Sequence, residues 1–284
     1  MKSFFGKILV AVDASNSSLR AKEMAASIAR KFNSQVTVVH VISHDFMHPE
    51  LKAHHQLSPL VLQELDKTYQ QTGREILRAA EEFFKEEKIE IETKLEKAED
   101  PADRILQMVK ELSCDLLIIG NVSDTRARRF SLGSVAEKIS LYSTSPVLIA
   151  KRKTEIRKVL IAVDGSANAD RALAYAIVIC QQYSAKLTLL HVEEDALFRL
   201  EPKGTKKVGE EILADAAAKV KDLSFDSRLE IGDPADTILK LAQQEGYDLI
   251  VLGSRGLSSV KRFLLGSVSA DVSMHLQRSV LIVR

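Results

Sequence analysis

The amino-acid sequence predicts an α/β protein of two tandem domains, each an open, five-stranded parallel sheet wound with helices on both faces. Three observations carry that prediction. Short aliphatic runs alternate with stretches whose apolar residues recur every three or four positions, the rhythm of repeated βαβ units. The runs are apolar on both faces, as buried parallel strands are. And the alternation is written twice: Asp13 and Asp164, like His40-Val41 and His191-Val192, stand 151 positions apart. Gly73 to Leu77 matches Gly209 to Leu213 at an offset of 136. Asp100-Pro-Ala-Asp103 and Gly133-Ser-Val135 match Asp233-Pro-Ala-Asp236 and Gly266-Ser-Val268 at 133. The first copy is thus 18 residues longer, 15 of them between Val41 and Gly73. A repeat of this length means duplicated domains, 1-152 and 153-284, rather than a solenoid, whose units run to about 20–50 residues.

Within each copy the elements follow in one order. The first strand is Lys7 to Asp13, echoed by Arg157 to Asp164. Helix one places Ala21, Met24, Ala25, Ile28 and Phe32 on one face, and its counterpart Ala172, Tyr175, Ala176, Ile179 and Tyr183. Cys180, where the first copy has Ala29, is expected to fill the core. A β-branched second strand, Gln35 to Ile42, precedes a helix from about Leu60 to Lys88, shorter in the second copy, from about Lys206 to Lys221. The third strand, Ile89 to Leu95, alternates apolar with polar residues, as an edge strand does. Asp100 and Asp233, each followed by proline, are N-caps of the third helix. The fourth strand ends at Gly120 or Gly253, and the last helix is expected to bury Val135 and Ile139, or Val268, Val272 and Leu276. Each copy closes on an apolar strand, Pro146 to Ile149 or Val280 to Val283. Right-handed crossovers make this a doubly wound, Rossmann-like sheet, which binds ligands beyond the carboxyl ends of its strands.

Composition narrows the function classes. Of 284 residues, 45% are hydrophobic and 28% charged; the formal charge of +1 argues neither for nor against any partner, but Lys and Arg are spread among nearly equal numbers of Asp and Glu, unlike the basic face of a nucleic-acid binder. Cys114 and Cys180 lie in apolar segments without paired spacing, which fits a reducing, cytoplasmic compartment. The opening MKSFFGKILVAVDAS resembles a short signal sequence, but Lys7 interrupts it, and the same pattern in mid-chain marks both as strands. No apolar run reaches the roughly 18 residues of a membrane helix.

The stretch Gly253 to Ser269, GSRGLSSVKRFLLGSVS, is the strongest candidate for chemistry. It sets Gly253, Gly256 and Gly266-Ser267 between an apolar strand and a helix. Glycines let a backbone approach an anion, and the N–H groups of a first helical turn donate to phosphate oxygens. Ser267 is expected to cap the last helix, while Arg255, Lys261 and Arg262 add positive charge, although Lys261 and Arg262 read equally well as solvated surface.

Together with Val163-Asp-Gly-Ser166, His191-Val192 and Gly232-Asp-Pro-Ala235, this loop makes the chain resemble a tandem-type universal stress protein over nearly its whole length. The second copy fits that family's ATP pattern, G-x2-G-x9-G-S. The resemblance implies that Asp164 contacts the adenosine and Val192 offers its backbone to the adenine. It also implies that Gly253, Gly256, Gly266, Ser267 and Val268 wrap ribose and phosphates of ATP, with or without Mg2+. In the first copy Ser123 replaces the middle glycine and Asp124 adds negative charge, so nucleotide is expected mainly in the second domain. Family members pair through their last strands, and Pro146 to Ala150 with Ser279 to Val283 offers that pairing within one chain, with a homodimer as the further option.

Two alternatives stand beside a nucleotide-binding regulator. An enzyme would need a Mg2+ site and a placed water, yet there is no G-x4-G-K-S/T and no D-x-D after the first strand, which leaves slow hydrolysis or autophosphorylation at most. A carrier of another ligand or partner in the first domain is suggested by its extra segment, about 43-62. There His44 and His48 are low-ranking zinc candidates interrupted by Pro49, and a solvated loop is the plainer reading. His40 and His191, at matching strand ends, are expected to be hydrogen-bonded to neighbouring loops rather than catalytic.

Overall fold

A computed structural model describes residues 4–43, 59–121, 132–152, 155–195, 200–256 and 265–284. The first half runs β1 (Lys7–Ala11), α1 (Asn16–Phe32), β2 (Gln35–Ser43), α2 (Pro59–Glu86), β3 (Ile91–Ala98), α3 (Pro101–Glu111), β4 (Leu116–Gly120), α4 (Ser134–Tyr142) and β5 (Val147–Ala150). The second half repeats it as β6 (Lys158–Ala162), α5 (Ala167–Tyr183), β7 (Lys186–Glu193), α6 (Pro202–Lys219), β8 (Phe225–Ile231), α7 (Pro234–Gln244), β9 (Leu249–Gly253), α8 (Ser267–His275) and β10 (Ser279–Val283).

Each half is a five-stranded parallel unit, but the two are not separate sheets. The strands form one ten-stranded sheet in the order β3-β2-β1-β4-β5-β10-β9-β6-β7-β8. Every contact is parallel except β5·β10, which is antiparallel with Val280 opposite Ile149, Leu281 opposite Leu148 and Ile282 opposite Val147. The physical reason lies in these two strands, whose residues are all buried. An exposed edge of that composition would recruit another strand, and pairing them removes both edges.

Apolar side chains pack on both faces of this sheet, and each core crosses the midline. On one face Ala25, Ile28 and Phe84 of the first half join Ala172, Cys180 and Leu213 of the second; on the other, Ile105 and Ile139 join Ile238 and Val272. An aromatic seam adds to the first: the Phe4 and Phe5 rings meet Tyr175 edge-on at 4.9 and 5.4 Å. Cys180 is wholly buried, its thiol pushed up to about 12 by that burial, consistent with a packing role.

The residue after each last strand reaches into the other half. Lys151 donates its ammonium to the carbonyls of Ser273 and Leu276, both at 2.6 Å, at the C-terminus of α8. Arg284, its counterpart, donates to the Ser140 carbonyl in α4. Cations at the carbonyl ends of helices satisfy orphan acceptors and oppose the negative end of the dipole. Burial pushes Lys151 down to about 8, and burial with the charge of Arg255 pushes Arg284 down to about 10.

Local signals placed the elements with small shifts. Asp100 accepts from the amides of Ala102 and Asp103, and Asp233 from Asp236, so both are N-caps. β3 continues to Ala98, three residues past Leu95, and α6 begins at Pro202 rather than Lys206, because proline suits a first helical turn. Val135 departs from expectation: it is 36% exposed and lines a crevice, while its neighbour Ala136 and Ile139, a turn later, are the α4 residues that reach the core. Among the described residues no helix is long and apolar enough to cross a membrane.

Candidate functional site

In the second half the chain moves outward from β6 to β7 and β8, then returns to the other side of β6 as β9. The connections therefore diverge at the carboxyl ends of β6 and β9, opening a crevice there. Register places the candidate residues level with it. Ala162 pairs with Leu190 and Ile161 with Val251, so Asp164, Val192 and Gly253 all lie at or just beyond the ends of adjacent strands.

The Val163-Asp-Gly-Ser166 run folds as a chain of local solutions. Asp164 accepts from the Ser166 amide at 3.0 Å, closing an Asx turn. Gly165 between them takes φ +79°, the left-handed conformation that favours glycine. Ser166 then caps α5, accepting from the Ala169 amide at 3.1 Å.

The loop glycines owe their identity first to the protein itself. A Cβ on Gly253 would stand 2.8 Å from the Asn168 carbonyl carbon and 2.9 Å from the Ala169 nitrogen, so this glycine admits the first turn of α5. A Cβ on Gly256 would stand 2.4 Å from Oδ2 of Asp164. Gly256 is not among the positive-φ residues, so what a side chain here would meet is the Asp164 carboxylate, and backbone handedness does not set the choice. The ends of the loop are fastened from several sides. The Asn168 amide donates to the Arg255 carbonyl at 3.1 Å, the Gly266 amide to the Ser254 carbonyl at 2.7 Å, and the Ser269 hydroxyl to the Gly253 carbonyl at 2.7 Å.

Ser267 does not cap the last helix. The N-cap is Gly266, with no side-chain cap hydrogen bond, and Ser267 is the first helical residue and exposed. The serine was one position late: the cap must have extended backbone, which Gly266 adopts at φ −67° and ψ 154°. Among the described residues, then, no N-cap side chain accepts from the first-turn N–H groups of α8. Val268 is half-buried against the apolar core, as is Val192. Arg255 is half-buried, and its charge acts on Arg284. Lys261 and Arg262, with Ser123, Asp124, His44 and His48, lie outside the described residues.

Both strand-end histidines are fixed by carbonyls. Nδ1 of His191 donates to the Val163 carbonyl at 2.7 Å, and Nδ1 of His40 to the Val12 carbonyl at 2.8 Å. Among the described residues, no three His, Cys, Asp or Glu side chains gather as metal ligands would.

The first half keeps the crevice as a cavity of about 200 Å³ between Asp13, Gly120, Asn121, Gly133 and Ser134. Its aspartate, however, is occupied in a way the loop sequence did not reveal. Oδ1 of Asp13 accepts from the Ser15 amide at 2.9 Å, the Ser18 hydroxyl at 2.6 Å and the Ser15 hydroxyl. Ser18 stands where the second half has Ala169, so the serine-rich Asp13-Ala-Ser-Asn-Ser-Ser18 was the legible signal.

Two doubly wound halves, each with a crevice at its strand ends and a V-D-x-S turn beside it, define a tandem protein of the open α/β class. It belongs to the universal stress protein family, whose model matches residues 5–151 and again residues 155–284. The universal stress protein YxiE of Bacillus subtilis is 35% identical over 145 residues, spanning 45% of this chain and 98% of its own. Over the whole chain, the crystal structure of a universal stress protein from Archaeoglobus fulgidus DSM 4304 superposes with a TM-score of 0.74 at 23% identity, covering 100% of this chain and 99% of that one. A Pseudomonas aeruginosa PAO1 protein gives 0.67 at 17% identity, covering 98% and 92%. These two likenesses speak to the fold.

Proposed function

We propose that this chain is a regulatory protein that binds one adenine nucleotide, ATP, in the crevice of its second half and turns it over slowly or not at all. The observation that carries the reading is the N-terminus of α8. It has a glycine cap with no side-chain acceptor, and it follows a glycine loop whose Gly256 rests on the Asp164 carboxylate. Such a helix end takes phosphate oxygens on its free N–H groups and favours negative charge. Asp164 is then positioned to accept from ribose hydroxyls, and the backbone of Val192 to meet the adenine edge. Arg255, Gly253, Gly256, Gly266, Ser267 and Val268 complete the wrap. In the first half, the serine donors on Asp13 compete for the same acceptor, which supports unequal occupancy.

Calorimetry with ATP is the test. One ATP per chain is expected, with the Gly256→Ser variant losing at least tenfold in affinity. No heat, or a variant that binds as the parent does, removes the proposal. Steady-state hydrolysis is expected below about 1 s⁻¹, the low end of enzyme turnover. The β5·β10 pairing takes the place of a partner subunit in this reading, so the chain works as a monomer.

A further inference from the structure

A second cavity, of about 360 Å³, lies where the two halves and their linker meet, lined from α1, α2, α5 and the linker. Its volume is at the lower end of the roughly 300–1,000 Å³ typical of small-molecule sites. The charges on its walls are unevenly used. Each acid already holds a cation: Glu23 pairs with Arg20 at 2.9 Å, Glu155 with Arg157 at 2.7 Å, and Glu87 with Arg30. Arg20 and Arg157 stand outside the lining, so two lining cations remain without a carboxylate among the described residues. One is Lys31, whose ammonium sits 5.5 Å from the centre of the Tyr183 ring; the other is Arg152 of the linker.

Two hydroxyls join them. Ser27 Oγ and Tyr183 OH are 2.9 Å apart across the junction, and since each carries one proton, one O–H remains to donate outward. Burial pushes the Tyr183 phenol up to about 12, so it stays a donor near neutral pH. Met24 and Phe83 supply an apolar wall. A guanidinium fork, a point-charge ammonium and a hydroxyl, lining one cavity from α1, α5 and the linker, suit a tetrahedral oxyanion, which accepts from several directions at once.

We propose that this cavity binds a small phosphorylated metabolite, its phosphate held by Lys31, Arg152 and the Ser27–Tyr183 hydroxyls and its carbon body against Met24 and Phe83. The ligand touches α1 of the first half, the linker and α5 of the second. Its binding therefore ties the halves together at a place separate from either strand-end crevice, and it raises thermal stability by mass action.

Phenyl phosphate, which joins a phosphate to a small apolar ring, is the probe, titrated into the full chain and followed by amide NMR. Saturating shifts are expected at Ser27, Lys31, Arg152 and Tyr183. The double variant Lys31→Gln/Arg152→Gln should weaken them at least tenfold, and Tyr183→Phe several-fold, while ATP binding is unchanged in both. Unchanged amide positions away from the cavity establish that the variants are folded. Shifts that fail to saturate, that saturate only at residues 253–256, or that persist in the double variant would overturn the proposal. Loss of ATP binding in Gly256→Ser bears on the crevice alone, so the two readings fail separately.

Discussion

Gly253 and Gly256 illustrate how far single residues can be understood. Their spacing and their place after a strand were plain in the sequence, yet the reason for each glycine was not, because both answer to atoms far away in the chain. Gly253 makes room for the α5 backbone, and Gly256 for the Asp164 carboxylate. A Gly253→Ala substitution sets a methyl against a helix backbone that cannot swing away as a side chain can. It should lower stability by about 1–3 kcal/mol, the usual range for overpacking, as read by chemical denaturation. A cost below about 0.5 kcal/mol would mean the strand end is looser than described. Ser267 and Ser18 show the complementary limit. A cap is fixed by one residue's backbone angles, so a Gly-Ser pair leaves its identity ambiguous. The serines around Asp13 could be counted in the sequence, but their convergence on one oxygen needed the turn.

At the scale of elements, alternating apolar periodicity, capping aspartates and the repeat made nearly every strand and helix of the described residues legible, with boundaries shifted by a few positions. What local pattern could not supply was the traffic between halves at the helix ends. Lys151 and Arg284 look like ordinary strand-terminal cations in the sequence, and only the sheet junction turns them into caps for α8 and α4. Lys151 makes a prediction about pH. Burial lowers its value in the folded chain from the ordinary 10.5 to about 8, so between those values the unfolded chain binds more protons than the folded one. Stability from this group therefore rises as pH increases from about 8 to 10.5, by up to roughly 3 kcal/mol at 1.36 kcal/mol per unit. The stability difference between the parent and Lys151→Met, measured across that window, should move in the parent's favour. A flat difference would show that the ammonium is not held in the buried position.

For the whole molecule, local pattern pointed to two five-stranded sheets, the family resemblance offered a pairing of their last strands within one chain, and the structure joins them there into one. Both β5 and β10 were recognisable as apolar strands, but an apolar edge only demands a partner; it does not say whether that partner lies in the same chain or another. The antiparallel register between them answers that question within one chain and leaves β3 and β8 as the outer strands. Light scattering should accordingly give the mass of one chain, 31.5 kDa, and a mass of about twice that would place a further interface beyond this sheet. The same duplication gives the molecule two crevices of unequal chemistry, one with Oδ1 of its aspartate held by serine donors and one with its aspartate beneath a glycine. Asymmetric nucleotide binding is the central claim that follows. It is tested most directly by calorimetric titration of ATP into the parent, Gly256→Ser and Asp13→Ala chains side by side. One site per chain, lost in Gly256→Ser and retained in Asp13→Ala, is the expected result; two equal sites, or a single site lost in Asp13→Ala instead, would contradict it.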